Sequence, residues 1–376
     1  SGLLAICFGE AGGEIIKSNL EKGKDLNPMM PGVKKNAIFG FCDIRQFPDV
    51  NDALQERTMI FVNQISEIVH SSVDKFSGST NKNIGDAYLS AWRFIKKIET
   101  EDDFPIVKEV KCQIGNPDTS LIADQAVLGF LQIIIKINSD KDILSYRNDV
   151  DILNHKDLKN YQVKMGFGLH LGWGIEGAIG STFKIDASYL SPNVNISARL
   201  ESSTKQYGVL MLISGELYDH CSPEIQNLAR LIDVVAVKGS IKPIRLYTFD
   251  VNITKLPKDK KVKNPSVKKR FEKLIKEKDY VQAEGKRQGS LVEYILETIP
   301  FKRLLKLNRP KEFLPTFKAG MKAYISGSWR KSGQLLEKCL EYDPQDGPTK
   351  TIYEFIKGEN FTSPPDWEGF RSLTSK

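Results

Sequence analysis

Two aspartates carry the first chemistry that the sequence suggests. Asp43 ends an apolar run that predicts a buried strand, and Asp86 lies in a Gly-Asp turn between two short strands. If these strands are neighbours, both carboxylates point to one spot, and hard oxygen ligands of this kind suit Mg²⁺ or Mn²⁺. On position alone, an aspartate at a strand end is more often a helix cap or a turn residue.

A second group of residues could hold phosphate. Asn195 and Arg199 are four residues apart, so a helix places both on one face, where the guanidinium can bind a phosphate and the amide a sugar. Lys238 precedes a glycine after an apolar strand and could also reach a phosphate. Taken singly, these residues are more often a surface pair and a solvated strand end.

Together, these residues lie in four segments that resemble the motifs of the class III nucleotidyl cyclases, in the order and spacing of that family. The segments are FCDIRQF (41–47), NKNIGDAY (81–88), VNISARLE (194–201) and VKG (237–239). The resemblance covers about residues 35–250. The sequence SYLSPNVN before the third segment further resembles protist cyclases.

The resemblance implies a role for each residue. Asp43 and Asp86, helped by the Ile44 carbonyl, would bind two Mg²⁺ or Mn²⁺ ions. The ribose 3′-oxygen of the substrate would attack the α-phosphorus and pyrophosphate would leave. Arg199 would stabilise the charge that develops on the α-phosphate, and Asn195 would orient the ribose.

Lys238 would hold the β- and γ-phosphates. In the family, the metal-binding aspartates and the Asn, Arg and Lys set come from opposite subunits of a head-to-tail dimer. Because this chain carries both sets, the resemblance implies a homodimer with two equivalent sites and an inactive monomer.

Lys82 and Ser188 occupy the positions that select the base in this family. A lysine ammonium only donates hydrogen bonds, so Lys82 suits the N1 acceptor of adenine and conflicts with the N1–H of guanine. Ser188 can donate or accept and favours neither base. We therefore expect an adenylyl cyclase that makes 3′,5′-cyclic AMP from ATP, with a guanylyl cyclase as the alternative. A second alternative is a catalytically silent cyclase-like scaffold in a larger assembly, although a decayed site usually loses at least one member of the set.

Hydrophobic periodicity predicts the strands and helices that carry these residues. Their order, β-α-β-β-α-β-α-β-α-β-β, predicts an α+β fold of the ferredoxin-like cyclase type, with a mostly antiparallel central sheet covered by helices. Residues 99–118 and 138–160 are predicted loops. The predicted strands are 37–44, a hairpin around 78–92, 163–171, 209–214, 231–237 and 244–250, and the main predicted helices are 52–71, 120–137 and 193–206.

Four segments are predicted along the chain: an N-terminal lead-in (1–34), the cyclase domain (35–254), a basic connector (255–310) and a helical tail (311–376). Aromatic and leucine residues at helical spacing make the tail resemble a single tetratricopeptide unit. One such unit rarely stands alone, so we expect it to pack on the cyclase domain or on a partner.

Charge is concentrated in the connector. The 376 residues have a net charge of +7, whereas residues 255–310 carry seventeen basic and seven acidic residues, a net charge of +10. This predicts a solvated linker or a contact with an acidic partner or an anionic membrane surface. Nucleic acid is not expected as a partner, because the run lacks interleaved aromatic residues.

Cysteine usage and hydropathy bear on location. The five scattered cysteines show no CxxC pair, which argues against a disulfide framework and a zinc site and favours a reducing cytoplasm. No uninterrupted apolar run reaches the length of a membrane span. The sequence starts without methionine and with no secretory signal, so we expect a piece of a longer protein, with the cytosolic part of a membrane-associated or ciliary protein as one such case.

Overall fold

A computed structural model describes residues 31–373 of the chain except 99–105, 182–183, 238–239, 241, 259–266 and 288. The described strands are β1 (Val33–Ile44), β2 (Ser79–Ile84), β3 (Ala87–Arg93), β4 (Ile95–Ile98), β5 (Ile106–Glu109), β6 (Met165–Ser181), β7 (Lys184–Leu190), β8 (Met211–Ser214), β9 (Ala229–Ala236), β10 (Ile244–Phe249) and β11 (Arg371–Ser372). The described helices are α1 (Phe47–Leu54), α2 (Thr58–Lys75), α3 (Pro117–Ile137), α4 (Lys141–Ser145), α5 (Val150–Asn154), α6 (Pro192–Tyr207), α7 (Gly215–Tyr218), α8 (Pro223–Leu228), α9 (Val267–Arg287), α10 (Leu291–Glu297), α11 (Ile299–Leu304), α12 (Phe313–Ile325), α13 (Trp329–Tyr342) and α14 (Gly347–Gly358).

The centre of the fold is a mixed sheet with the strand order β11-β9-β10-β8-β6-β1-β3-β2, and β7 pairs with the far half of β6. β1 lies between β3 and β6 and is antiparallel to both. Among the described strands of this sheet, only the β6–β8 and β9–β11 pairs are parallel. The predicted α+β fold with a mostly antiparallel central sheet is therefore confirmed.

One face of the sheet is covered by α2 and α3. Trp92 on β3 and Phe167 on β6 both meet the ring of Phe130 on α3 edge to face. Within the described residues, α3 is the one helix that is long and apolar enough to cross a membrane, and 78% of its most apolar window is buried. The sequence did not predict such a helix, because Gln132 and Lys136 interrupt the apolar run.

The opposite face of β6 is covered by α6. Small residues alternate along β6, and the backbone of α6 lies directly on Gly168: a Cβ there would come within 2.2 Å of the carbonyl oxygen of Ser197. At the start of α6, the Ser191 side chain accepts from the Asn193 N–H at 3.0 Å, and Pro192 occupies the first turn. Ser191 and Pro192 thus form a regular helix start.

Two predicted loops contain regular structure. Residues 99–118 were expected to be irregular, but β5 pairs with β4 in a small separate hairpin. Within 138–160, the side chains of Asp140 and Asp149 cap the short helices α4 and α5. These elements are too short for their periodicity to be recognised. β6 is also longer than predicted, because its glycine-rich half continues as a strand that pairs with β7, which was not predicted.

Helices α9 to α11 occupy the described part of the basic connector. Buried apolar residues of these helices, among them Val281, Leu291 and Phe301, belong to the same cluster as the core of the sheet domain. This segment is therefore partly packed against the sheet domain and not a fully solvated linker. The proposed boundaries between the four segments stay a prediction.

The helical tail packs on the sheet domain, which is one of the two arrangements expected from the sequence; the other was packing on a partner. Phe313 and Phe317 of α12 share an apolar cluster with Ile232 of β9. Arg230 on β9 pairs with the buried Asp346 at the start of α14, with 2.8 Å between Nη2 and Oδ1. The resemblance of the helical tail to a tetratricopeptide unit stays a prediction.

Candidate active site

The two predicted metal-binding aspartates lie together at one end of the sheet. Asp43 pairs with Ala87 across β1 and β3, and Asp86 occupies the β2–β3 turn, where Gly85 takes a left-handed conformation with φ of 66°. The Ile44 N–H donates to the Asp86 carbonyl oxygen at 3.2 Å. The carboxyl groups of Asp43 and Asp86 lie close enough to interact electrostatically.

This proximity changes the acidity of Asp43. Burial and the neighbouring Asp86 carboxylate raise the pKa of Asp43 to about 6, although Lys205 and the Ile44 N–H act in the opposite direction. Two neighbouring carboxyl groups that repel each other when both are charged form a site with a deficit of positive charge. Such a donor set fits a divalent cation, which would relieve the repulsion.

The pair alone does not enclose an ion. In the described part of the chain, no three His, Cys, Asp or Glu side chains are grouped so that they could hold a metal. A cation at Asp43 and Asp86 would therefore need further oxygens, which the Ile44 carbonyl, water and substrate phosphates could supply.

A third carboxylate lies behind the pair. Glu201 on α6 is 3% exposed, and its Oε1 has no hydrogen-bond partner. Burial and Asp43 raise the pKa of Glu201 to about 7, opposed by Lys205 and Arg45. Arg45, two residues after Asp43, donates to Thr204 Oγ1 on the same helix at 2.5 Å. These residues join the end of β1 to α6.

Asn195 and Arg199 share a face of α6, as predicted, but not the face that approaches the aspartates. Successive helix residues are about 100° apart, so Arg199 lies about 160° around the axis from Glu201. Glu201 and Lys205 interact with Asp43, whereas Asn195 is exposed and Arg199 is half-buried. Within one chain, the aspartate pair therefore lies against one side of α6, whereas Asn195 and Arg199 lie on another side of that helix.

The two predicted base-selecting residues are brought together by β2 and β7. Lys82 forms an ion pair with Asp186, with 3.4 Å between Nζ and Oδ2. Ser188 is 7% exposed and donates to Asn81 Oδ1 at 3.3 Å. Asn81 lies at an irregularity in the β2–β3 pairing. Lys238, the last predicted site residue, lies outside the described residues.

Sequence reasoning missed Asp186, Glu201 and Arg45. Asp186 is two residues before Ser188, and alternate residues of a strand share a face, so a prediction of β7 would have placed it in the base site. Glu201 lies in the quoted VNISARLE segment, and Arg45 in FCDIRQF. Nothing in their spacing indicates that they meet, because the contact depends on how α6 crosses β1.

The close approach of α6 to β6 gives a testable expectation. In Gly168→Ala, the new Cβ would lie 2.2 Å from the Ser197 carbonyl oxygen and 2.5 Å from the Glu201 nitrogen, both of them backbone atoms that cannot rotate away. We expect a loss of about 3 kcal/mol in the free energy of unfolding, measured by urea denaturation. Gly358→Ala is the matched control, since nothing lies within 4 Å of its Cβ position, and it should change stability by less than about 1 kcal/mol. Equal effects would contradict the packing described.

Several adenylate cyclases are similar to this chain in sequence. A scan against models of protein families found no match. A protein named adenylate cyclase from Anabaena cylindrica is 28% identical over 210 residues, which is 55% of this chain and 35% of the relative. The terminal-differentiation-specific adenylate cyclase of Dictyostelium discoideum is 22% identical over 317 residues, 84% of this chain and 11% of the relative. The chain thus spans about a third or less of the length of these relatives.

Solved structures were compared as well. A bacterial light-regulated adenylyl cyclase is 20% identical with a TM-score of 0.45, covering 70% of this chain and 62% of its own. The adenylyl cyclase CyaB from P. aeruginosa is 18% identical with a TM-score of 0.41, covering 58% and 95%. The guanylyl cyclase Cya2 is 18% identical with a TM-score of 0.40, covering 59% and 94%.

Between the first and third motifs, the structure brings Asp43 to Asp86 and Lys82 to the strand of Ser188. The chain is similar in sequence to adenylate cyclases.

Proposed function

We propose that this chain is the catalytic region of an adenylyl cyclase, which converts ATP to 3′,5′-cyclic AMP and pyrophosphate in a site shared by two copies of the chain. The contact between the carboxyl groups of Asp43 and Asp86 carries the proposal. A pair of acidic side chains held together against their repulsion is a costly arrangement, and binding of a divalent cation explains it. The adenylate cyclases to which the chain is similar support the reaction.

The placement of the residues on α6 supports the dimer. Asp43 interacts with Glu201 and Lys205 on one side of this helix, and Asn195 and Arg199 occupy another side. Residues that act on one phosphate must converge within a few ångströms of it. Two copies, each supplying a different set, meet that requirement, whereas one copy would have to unpack α6 from β6.

Asp43, Asp86 and the Ile44 carbonyl would hold the divalent ions. When bound, Mg²⁺ or Mn²⁺ would lower the pKa of the ribose 3′-hydroxyl and neutralise charge on the triphosphate. The raised pKa of Asp43, about 6, means that the site gains a full second negative charge only above that pH. The carboxylates thus both attract the ions and set the pH range in which they bind.

Residues of α6 would act on the reacting phosphate. As the 3′-oxygen forms its bond to the α-phosphorus, the bond to the pyrophosphate oxygen breaks and negative charge moves to the oxygens around it. The Arg199 guanidinium can donate two hydrogen bonds to those oxygens, and Asn195 can hold the ribose in line. Lys238 is expected to bind the leaving pyrophosphate.

Lys82 and Asp186 form a donor and an acceptor side by side, and this pair would read the base. The Lys82 ammonium can donate to adenine N1, and the Asp186 carboxylate, 3.4 Å from it, can accept from the 6-amino group. Ser188 donates to Asn81 and is nearly buried, so it would support the strand more than it would touch the base.

The same pair also favours a second candidate, a guanylyl cyclase. Guanine presents an O6 acceptor next to an N1–H donor, and Lys82 and Asp186 can satisfy both if the base shifts by one position. The choice between ATP and GTP therefore depends on how the base is placed between the two side chains.

A turnover assay tests the proposed function. The protein, at several concentrations with Mn²⁺, receives ATP and GTP together, and the cyclic products are separated by chromatography. We expect cyclic AMP, with a rate that rises faster than linearly with protein concentration. Cyclic GMP would keep the mechanism and replace the base assignment. No product from folded protein, with Asp86→Asn as the blank, would refute turnover by this chain alone and favour the scaffold.

The base assignment has its own test. Lys82→Glu/Ser188→Cys would exchange the donor for an acceptor, which is the change that favours GTP over ATP. Because the new carboxylate would face Asp186, we expect this double variant to lose activity with both nucleotides. Adding Asp186→Asn removes the repulsion and should recover activity with GTP but not with ATP. If kcat/KM for the two nucleotides keeps its wild-type ratio in the triple variant, the assignment of Lys82 is wrong.

A further inference from the structure

The C-terminal strand of the tail ends in a buried charge cluster that no catalytic role explains. Asp233 on β9 is fully buried. Its Oδ2 accepts from Arg371 Nε at 2.8 Å and from the Tyr207 hydroxyl at 2.7 Å, and Arg371 Nη2 donates back to that hydroxyl at 3.3 Å. The Arg371 guanidinium also lies over the ring of Phe355, 4.7 Å from its centroid.

These residues come from three parts of the chain. Tyr207 is the last residue of α6, Asp233 lies in the middle of β9, and Arg371 forms β11 at the end of the tail. The strand β11 pairs with β9 at Val235 and Ala236, the last two residues of β9. Arg371 therefore joins α6 and β9, the two elements that carry or lead to the proposed phosphate-binding residues.

A second contact between the tail and α6 lies next to the first. Thr351 Oγ1 on α14 donates to the Gln206 carbonyl oxygen at 3.0 Å. A Cβ added to Gly347 would come within 2.1 Å of the Tyr207 carbonyl oxygen, so α14 begins directly against the last turn of α6. The carboxyl end of α6 is thus enclosed by the tail.

The tail supplies the positive charge that the buried Asp233 needs. A fully buried carboxylate is strongly unfavourable unless a cation and hydrogen bonds compensate it, and among the described residues the bonded cation is Arg371, 138 residues further along the chain. When Arg371 is absent, the Asp233 charge has lost its partner. The end of α6 and the end of β9 would then separate or admit water.

We propose that Arg371 is a positioning residue for the cyclase reaction, and that the tail thereby forms a structural part of the catalytic half-site. It holds the end of α6 against β9 and so sets the position of the helix that carries Asn195 and Arg199. Asn195 and Arg199 are 12 and 8 residues from Tyr207, or about 18 and 12 Å along the helix. A small rotation of α6 at Tyr207 would therefore displace both Asn195 and Arg199. This inference rests on the proposed cyclase function.

Arg371→Met in the full chain tests the proposal. We expect kcat to fall about 10- to 100-fold, because misplacing a catalytic group by about 1 Å has an effect of that size. The KM for nucleotide should change less than kcat, since Lys82 and Asp186 lie on β2 and β7, away from the tail contact. Arg371→Lys keeps the charge and should give an intermediate kcat.

A double variant separates positioning from stability. Asp233→Asn/Arg371→Met removes the unpaired charge and leaves an amide that can bond to Tyr207, so the melting temperature should return toward that of the wild type while kcat stays low. If kcat recovers together with stability, or if Arg371→Met keeps the wild-type kcat at a temperature where it is folded, the positioning role is refuted.

Amide hydrogen exchange gives a readout that does not depend on turnover. In Arg371→Met, exchange should rise in residues 200–207 and 231–236 and not in β1 and β3. Arg57→Met is the matched control: Arg57 is an exposed arginine that bonds to Asp149 and Asp151, and its loss should change neither kcat nor these segments. If the wild type makes no cyclic nucleotide, the proposed function fails, whereas unchanged exchange in α6 and β9 would refute the tail contact itself.

Discussion

Asp86→Asn is expected to abolish cyclase turnover and yet to raise the melting temperature of the metal-free protein. Burial, together with the neighbouring Asp86 carboxylate, raises the pKa of Asp43 to about 6. Replacing one carboxylate by an amide removes the repulsion. The activity loss should exceed about 10³-fold, because charge stabilisation by a bound ion is worth several kcal/mol and each ~1.4 kcal/mol is tenfold.

The pH dependence of this stability effect follows from the direction of the shift. The folded state holds the Asp43 proton up to about pH 6, whereas an unfolded aspartate releases it near pH 3.9, about two units lower. The raised pKa therefore favours the folded state at low pH, and this contribution is lost as the pH rises through about 6. Asp86→Asn should accordingly melt higher than the wild type at pH 8 and no higher at pH 4.

Binding of Mn²⁺ should reverse the order of the melting temperatures of the wild type and Asp86→Asn. Mn²⁺ should raise the melting temperature of the wild type at pH 8, because the cation compensates both carboxylates, and much less at pH 5, where Asp43 holds its proton. It should not raise that of Asp86→Asn. Asp52→Asn is the control, since Asp52 is an exposed carboxylate that pairs with His155, and it should respond to Mn²⁺ as the wild type does. A wild type that melts at the same temperature with and without Mn²⁺ would contradict the metal site.

Mixing two inactive variants is expected to restore activity. Asp86→Asn lacks one half of the site and Arg199→Met the other, so each homodimer has two damaged sites. A mixed dimer has one site with both defects and one site with none. With random subunit exchange, half of the dimers are mixed, and the rate should reach about a quarter of the wild-type rate.

The control for this experiment uses two variants of the same set. A mixture of Asp43→Asn and Asp86→Asn has an aspartate missing from every site and should remain inactive. The readout is cyclic nucleotide formed after the variants have been co-incubated, compared with each variant alone. If the Asp86→Asn and Arg199→Met mixture stays inactive while subunit exchange is demonstrated by a labelled chain, the aspartates and Arg199 act within one chain and the shared site is wrong.

Local spacing predicted much of the site. Asp43 at a strand end, Asp86 in a Gly-Asp turn and the Asn195/Arg199 pair on one helix face all lie where the sequence placed them. Each of these placements depends on a few consecutive residues, because strand ends, tight turns and the periodicity of a helix are set by short-range sterics and hydrogen bonds. The resemblance to the class III nucleotidyl cyclases came from the four motifs, taken together in their order and spacing.

The strand β7 shows where that reasoning stops. It follows a glycine-rich segment and begins beside residues 182–183, and its pairing with β6 depends on the register of a long strand. Register is decided by which faces are buried across the whole sheet, and no local pattern reports it. Without β7, the Lys82–Asp186 pair could not be foreseen, although Lys82 itself was recognised.

The residue types suited to phosphate and metal chemistry, and the elements on which they lie, can be read from the sequence alone. Two contacts cannot: Glu201 packs behind Asp43 while Arg199 lies on another side of the helix, and Arg371 pairs with Asp233, a residue 138 positions earlier. Both contacts depend on which groups the folded chain buries. A charge such as Asp233 can be kept from water only when a distant segment supplies its partner, and that choice is made by the packing of the whole chain.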